Sequence, residues 1–471
     1  MPRLDLALLK SNSMSNRTCI ILAVFLLLGI NSALAKETSP VSVSQGSNHK
    51  TVISMTHEQV LDFAKDLIAQ GKLDDARKAL LAKPYNVREL EIERLYLLAQ
   101  IATKQHKYDE AIDIYYFILD HEPNIPNIRF RLAELYLKKE DWWRADYHYR
   151  LALANKDLPL PVQYRIRQAL YYIRQNKNWN VWFNFGVAPD NNINNTTSGE
   201  QCVMTMFGVM CNTLDEPEKD VGFNITVGGN YEFKLSDNWR LRNEAMIYNS
   251  KYSDKKYDDT YLYYVLGLKY VYEKGDVFFG PTVSRRYLGH KAYNYSTGFM
   301  IETGYDITKQ LNASLSLAYT PTYYDDYGDI LDGDTKSARL RLFYALDSSK
   351  YLIFRTGYEY EKTKDRTYTN DRINVALGFG AELPYGFHVY AEPSVLFTNY
   401  KGERWTVKDY QFEEIKERDV TQRYSISISN RNIAVWGLVP TLTYSYTDKS
   451  SNIWQREYEK SLIEFSIQKR F

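Results

Sequence analysis

The feature that most limits what this chain can become is a two-residue alternation of apolar and polar side chains, which begins at Trp179 and runs to Phe471. Within Tyr261–Tyr272, Leu262, Tyr264, Leu266, Leu268, Tyr270 and Tyr272 point one way, while Tyr263, Val265, Gly267, Lys269 and Val271 point the other. Arg372–Leu383 repeats the pattern, with Ile373, Val375, Leu377, Phe379, Ala381 and Leu383 alternating with Arg372, Asn374, Ala376, Gly378, Gly380 and Glu382. Successive side chains of a strand fall on opposite faces, so each segment has a dry side and a wet side. A soluble sandwich needs a second sheet for every dry side. A transmembrane barrel turns the dry sides to lipid and lines its lumen with the wet ones.

Alternation occurs at about 179–188, 221–235, 239–253, 260–272, 276–288, 294–307, 311–324, 335–346, 350–363, 369–383, 387–400, 419–429, 432–446 and 452–471, which makes fourteen strands. The even number suits a closed antiparallel barrel. Connections also alternate in length. Ser236–Asn238, Glu273–Gly275, Thr308–Gln310, Asp347–Ser349, Pro384–Gly386 and Asn430–Asn432 are short turns, and those between them are mostly longer, the longest at 189–220. Short turns at one rim and long loops at the other are expected of a bacterial barrel, with turns in the periplasm and loops outside.

Composition agrees. The 471 residues include 41 Tyr, 20 Phe and 8 Trp, as interfacial girdles require, yet mean hydropathy is −0.46. Past the leader no stretch of about 18 apolar residues occurs, which excludes a polytopic helical membrane protein. A net charge of +1 gives no case for a nucleic-acid partner.

At the start, Lys10 and Arg17 precede the apolar run Cys19–Ile30, followed by Ala33-Leu34-Ala35. This pattern predicts a secretory signal peptide over 1–35, cut between Ala35 and Lys36. Cys19 opens the apolar core, so it is not a lipidation cysteine. Residues 36–55 show no usable period and read as a flexible lead-in.

From Thr56 the period becomes helical. Ala64 and Ala76, Ala99 and Ala111, and Ala133 and Ala145 are three pairs twelve apart, whose second members recur at intervals of 35 and 34. Leu73, Tyr108 and Trp142 lie three before the second Ala, and Leu80, Tyr115 and Tyr149 four after it. This resembles the tetratricopeptide repeat, in which small residues let two helices pack closely. Val162–Gln175, set off by Pro159 and Pro161, reads as a capping helix. The repeat domain is therefore expected over 56–178. By the repeat's geometry Glu93, Tyr96, Gln100, Asn127, Phe130 and Glu134 lie on the inner surface, the candidate face for receiving a polypeptide. The fold class is thus α+β multidomain: a tetratricopeptide-repeat α-solenoid, then a 14-stranded antiparallel transmembrane β-barrel over 179–471.

Cys202 and Cys211 both fall in the first long loop, nine apart. In a chain exported through an oxidising compartment they read as a disulfide closing a short segment. Little else suggests chemistry. None of the seven His has a metal partner at helical spacing, and neither a phosphate loop nor a nucleophile elbow occurs. Ser284 and His290 could share a rim without a third catalytic partner. Asp325, Asp326, Asp329, Asp332 and Asp334 are not spaced as a calcium loop and read as a hydrated surface loop. Arg339, Arg341, Arg372 and Glu382 are lumen candidates, polar because the interior is wet. No enzyme activity, metal or cofactor is expected.

A more specific resemblance rests on two motifs. Phe183-Asn184-Phe185-Gly186-Val187-Ala188 runs into Pro189-Asp190-Asn191-Asn192-Ile193-Asn194-Asn195, and the chain closes with Gly437, Pro440, Tyr444, Ser451-Asn452-Ile453 and Arg470-Phe471. Together with a leader, a short repeat domain and fourteen strands, they make the chain similar to the surface lipoprotein assembly modulators, or Slam proteins. That resemblance implies an outer-membrane translocon of type XI secretion, moving surface lipoproteins or related soluble proteins outward. The expected partners are the client, the barrel-assembly machinery, and outer-membrane lipid and lipopolysaccharide, with the chain a monomer. Ile463, Phe465, Ile467 and Phe471, on one face of the last strand, look like the signal read by the assembly machinery. Two other readings stay open: a nutrient or solute channel, and a polysaccharide exporter whose repeats recruit a synthase.

Overall fold

The computed structural model of the chain describes residues 41–43, 53–82, 85–155, 158–408 and 410–470. The expected signal peptide, its cleavage point between Ala35 and Lys36, and Phe471 lie outside the described residues. Of the lead-in, Val41–Val43 and Ile53–Met55 pair as antiparallel strands, where a flexible segment was expected. Three residues are too few for an alternation to show.

Seven helices follow: α1 His57–Ala69, α2 Leu73–Leu81, α3 Arg88–Lys104, α4 Tyr108–His121, α5 Pro126–Lys138, α6 Trp142–Leu153 and α7 Leu160–Asn176. Thr56 starts the first with a capping box, its hydroxyl accepting from Gln59 N while the Gln59 side chain accepts from Thr56 N. The six alanines picked out by spacing are all fully buried, and Leu80, Tyr115 and Tyr149 fill the gaps beside them. A Cβ-sized contact at these points is what lets the paired helices approach. The turn inside each pair needs one left-handed residue, supplied by Gly71, His106 and Glu140 at φ of 78°, 60° and 57°. Only the first is glycine, so the other two carry a modest strain.

The barrel strands are β1 Trp179–Asp190, β2 Asp220–Lys234, β3 Trp239–Lys251, β4 Asp259–Tyr272, β5 Gly275–Leu288, β6 Lys291–Asp306 and β7 Leu311–Tyr324. The second half comprises β8 Gly333–Ala345, β9 Lys350–Thr363, β10 Asn370–Glu382, β11 Phe387–Lys408, β12 Gln411–Asn430, β13 Val439–Ser451 and β14 Tyr458–Arg470. Each is antiparallel to its neighbours in sequence, and β14 closes on β1. Fourteen strands in up-and-down order leave no sheet edge unpaired, which a bilayer demands. Ile373, Val375, Leu377 and Phe379 lie exposed on the outside, while Val265 and Val271 are buried. No helix among the described residues is long and apolar enough to cross a membrane; this barrel crosses with strands.

Besides β13 running on to Ser451 and β14 starting at Tyr458 where 452 was expected, three boundaries depart from expectation. First, β11 and β12 continue past residue 400 to Lys408 and from Gln411, as a hairpin standing beyond the rim. Charged residues occupy both rows there, Arg404 and buried Glu417 on one and Glu403, Glu414 and Lys416 on the other, so no apolar alternation betrays the strands. Second, the turn expected at Asn430–Asn432 spans residues 431–438, because Trp436 and Gly437 are left-handed and Val435 bridges to Leu438. The apolar run Ile433–Leu438, read as strand, is therefore turn, and β13 begins at Val439. Third, one connection at the long-loop rim is a two-residue turn, Gly289-His290, with φ of 54° and 65°. Two successive left-handed residues match the twist of paired strands.

Candidate functional site

The rim where β1 begins and β14 ends, here the near rim, is where the helices dock. Glu382, the last residue of β10, is 8% exposed and is gripped from both units. Arg129 of α5, fully buried, donates Nη1 to Glu382 Oε2 at 2.8 Å, and Tyr147 of α6 donates its hydroxyl to Oε1 at 2.6 Å. Arg431, in the β12–β13 turn, reaches Glu382 at 3.1 Å and Asp120 of α4 at 2.5 Å. Burying charges is tolerable only when they are paired and hydrogen-bonded, as here. A second node lies across the rim, where Asp306 at the end of β6 takes Arg150 at 2.7 Å and Arg174 at 2.6 Å. Helix ends are capped by the barrel too: Gln310 Nε2 donates to Ala154 O at 2.9 Å, and Arg240 Nη2 to Gln175 O at 2.6 Å.

Beside the Glu382 node, His148 is buried with its ring stacked on Tyr136 and its Nε2 3.1 Å from the Tyr116 hydroxyl. Burial, reinforced by the nearby Arg129 charge, pushes the imidazole down to about 3. It is therefore neutral at any physiological pH.

Between the docked helices and the lumen lies a chamber of about 1110 Å³. Its helical wall carries Trp142, Trp143, Asp146, Tyr147, Arg150 and Arg174, and its barrel wall Arg242, Glu302, Arg339, Arg341, Arg355 and Arg372 among others. The lining has nine Arg and Lys against five Asp and Glu, but Asp306, Glu244, Glu392 and Glu361 just behind it pair with Arg150, Arg174, Arg242, Arg355 and Arg372, so the chamber wall is charged and close to balanced. Arg341 and Arg355 face each other across β8 and β9, and the like charges are eased by Glu392, which pairs with Arg355. Three of the four lumen candidates thus line the chamber, whereas Glu382 is part of the docking node.

The expected inner surface is assembled from α1, α3, α5 and α7, and most of its side chains are tied to one another. Glu93 pairs with Lys65 at 2.6 Å, Tyr96 accepts from Arg131 at 3.2 Å, and Glu134 holds Arg131 at 2.9 Å and Arg165 at 2.5 Å. Gln100 is half-buried and Asn127 exposed on the same helices. Phe130 departs from expectation: it is 5% exposed, packed against Tyr149 with the Arg131 and Arg165 guanidinium groups over its ring. It fills a gap between repeats instead of lying open.

At the far rim, the first long loop contains a hairpin of Glu200–Thr205 and Gly208–Thr213, with Cys202 and Cys211 opposite each other and disulfide-bonded. Met204 N donates to Tyr410 O at 2.9 Å, so this hairpin leans on the β11–β12 extension. Asp325 and Asp332 pair with Arg285 and Lys364 at 2.9 and 3.1 Å, and His290 with Asp258 at 2.8 Å. Ile463, Phe465 and Ile467 share the outward row of β14.

The lumen rows are legible in the sequence and the docking nodes are not. Their one sequence trace is a carboxylate ending a strand, Asp306 and Glu382, opposite arginines whose nearness no local pattern encodes.

Residues 179–471 match the family model described as surface lipoprotein assembly modifier. A Pasteurella multocida protein named surface lipoprotein assembly modifier is 24% identical over 468 residues, covering 93% of this chain and 88% of the relative. Surface lipoprotein assembly modifier 1 of Neisseria meningitidis serogroup B is 24% identical over 399 residues, covering 79% and 75%. Among solved structures, a Pseudomonas aeruginosa FadL homologue aligns over 69% of this chain and 93% of its own, at 9% identity and a TM-score of 0.37.

Proposed function

Because the chain belongs to the surface lipoprotein assembly modifier family, we propose that it is an outer-membrane translocon that carries surface lipoproteins, or related soluble proteins, to the cell exterior. In this reading the helical domain stands in the periplasm, receives the client on the α1/α3/α5/α7 face, and hands it to the lumen. The observation that carries it is the chamber: the helices are clamped on the near rim, and the space between them and the wet bore is continuous with the lumen-lining Arg339, Arg341 and Arg372. A simple solute channel has no use for a helical cap held by two charged nodes across its entrance. A polysaccharide exporter would share the architecture and differs in what accumulates when the chain is lost.

The outward row Ile463, Phe465 and Ile467, with Phe471, is proposed as the signal for barrel assembly. Ala35–Lys36 is proposed as the processing point, and the chain is proposed to act as a monomer.

The test is deletion of the gene, followed by protease shaving of intact cells. Loss of a surface protein with its accumulation inside supports export, whereas altered solute permeability alone supports the channel. The double charge reversal Glu93→Lys and Glu134→Lys is expected to reduce surface delivery at least tenfold while the barrel still assembles. Unchanged delivery rules out that face as the docking site.

A further inference from the structure

The seam between β1 and β14 differs from every other junction in the barrel. Among the described residues it aligns seven residue pairs, whereas each of the other thirteen neighbouring strand pairs aligns eleven or more. The strands are not short, at 12 and 13 residues. The ladder skips two pairs between Asp190–Leu462 and Val187–Phe465, where Pro189, which has no N–H to donate, falls on β1; gaps of this size also occur at β4–β5, β6–β7 and β10–β11, but in ladders of eleven or more pairs. Glu464, opposite this gap, lays its carboxylate over Gly186, so close that a Cβ there would come within 2.5 Å of Oε1.

At the far rim one long backbone bond, Asn191 N to Ser461 O at 3.4 Å, is reinforced by side chains. Asp190 takes Lys460 at 2.7 Å, Asn191 Oδ1 accepts from Ser461 N at 2.7 Å, and Asn192 Nδ2 donates to Glu459 O at 2.9 Å. Lys460 also donates to Asn195 Oδ1 at 3.1 Å. Asp190 and Asn192 are buried. The Asp-Asn-Asn segment at the end of the first strand, which no other part of the site employs, is therefore a clasp across this one junction.

Topology singles out the same place. Every other strand pair is tied by its own connection, so separating it strains a loop. β1 and β14 are the two ends of the barrel, and parting them strains none. Rows of charged groups inside the lumen make it a poor path for acyl chains, which keep about 0.8 kcal/mol per methylene by staying in hydrocarbon.

We infer that the β1–β14 seam is a lateral gate through which an acylated polypeptide leaves the lumen for the outer leaflet, and that Asp190, Asn191 and Asn192 form its releasable clasp. The acylated occupant rests on the translocon reading; the opening of the seam does not.

Two measurements test it. In the full chain in lipid nanodiscs, amides of Phe183–Val187 and Phe465–Lys469 are expected to exchange with deuterium at least tenfold faster than those of Arg339–Phe343. Asn192→Ala should accelerate the seam further and leave Arg339–Phe343 unchanged. Equal protection of seam and control strands overturns the gate. In cells fed labelled palmitate, Asn184→Cys with Gln468→Cys, facing residues across the seam, should abolish surface display of labelled protein when oxidised and restore it on reduction. The control pair Ser427→Cys with Thr443→Cys, across β12 and β13, should leave display unchanged in both states. Full display through a quantitatively locked seam overturns the gate. Undiminished labelled surface protein after deletion of the chain overturns the acylated occupant, even where the seam exchanges fast.

Discussion

Replacing Glu382 by Gln should loosen the helical domain from the barrel more than any other single change at the near rim. The substitution keeps the shape and removes one charge. Arg129, with no exposure, then faces Arg431 without its carboxylate, although Asp120 still balances Arg431. Removing one member of a buried, hydrogen-bonded ion pair costs about 3–5 kcal/mol. The glutamine oxygen can still accept from Arg129 or Tyr147, so the lower end applies. Undocking lets water solvate Arg129, hence the loss falls on the docking equilibrium: about 3 kcal/mol is roughly 100–200-fold. Spin labels on Lys78→Cys and Asp237→Cys, both exposed, would report the distance between the two units by pulsed dipolar spectroscopy. One narrow distribution is expected for the parent and a broad one for Glu382→Gln. Adding Arg129→Met should narrow it again, because a buried pair replaced on both sides is close to neutral. An unchanged distribution in the single variant, or a double variant as open as the single, would refute the reasoning.

Three further outcomes follow from other parts of the structure. His148 has its folded value lowered to about 3, against about 6.5 when unfolded, so the unfolded chain binds the extra proton between those limits. Helical-domain stability is complete above about pH 6.5 and falls as pH drops, by about 2 kcal/mol at pH 5; thermal melts across this range should show the slope, and His148→Phe should flatten it. Leu377→Arg puts a charge on the outward face of β10 and should cost about 2–4 kcal/mol in denaturant unfolding from vesicles, whereas Arg372→Ala on the lumen row should cost much less. Reduction of Cys202–Cys211 should expose the far-rim hairpin to protease and leave barrel unfolding unchanged, because the bridge closes a loop of nine residues' separation outside the barrel.

The sequence by itself determined the barrel's strand count and the solenoid's repeat. Both are written as short-range periods: Ile373, Val375, Leu377 and Phe379 must share a face because strands alternate, and Ala99 with Ala111 must meet because paired helices need a small contact. Where charged residues occupy both rows of a strand, as in the β11–β12 extension, that signal vanishes, and where an apolar run bends through Trp436 and Gly437 it misleads. Only the tertiary structure decided that Phe130 fills a gap between repeats, that Arg129 finds Glu382 across 253 residues of sequence, and that Asp190–Asn192 close on β14. Such contacts depend on barrel closure and on how the helices settle on its rim. A pairing fixed by the whole chain's geometry leaves no period of its own in the residues that make it.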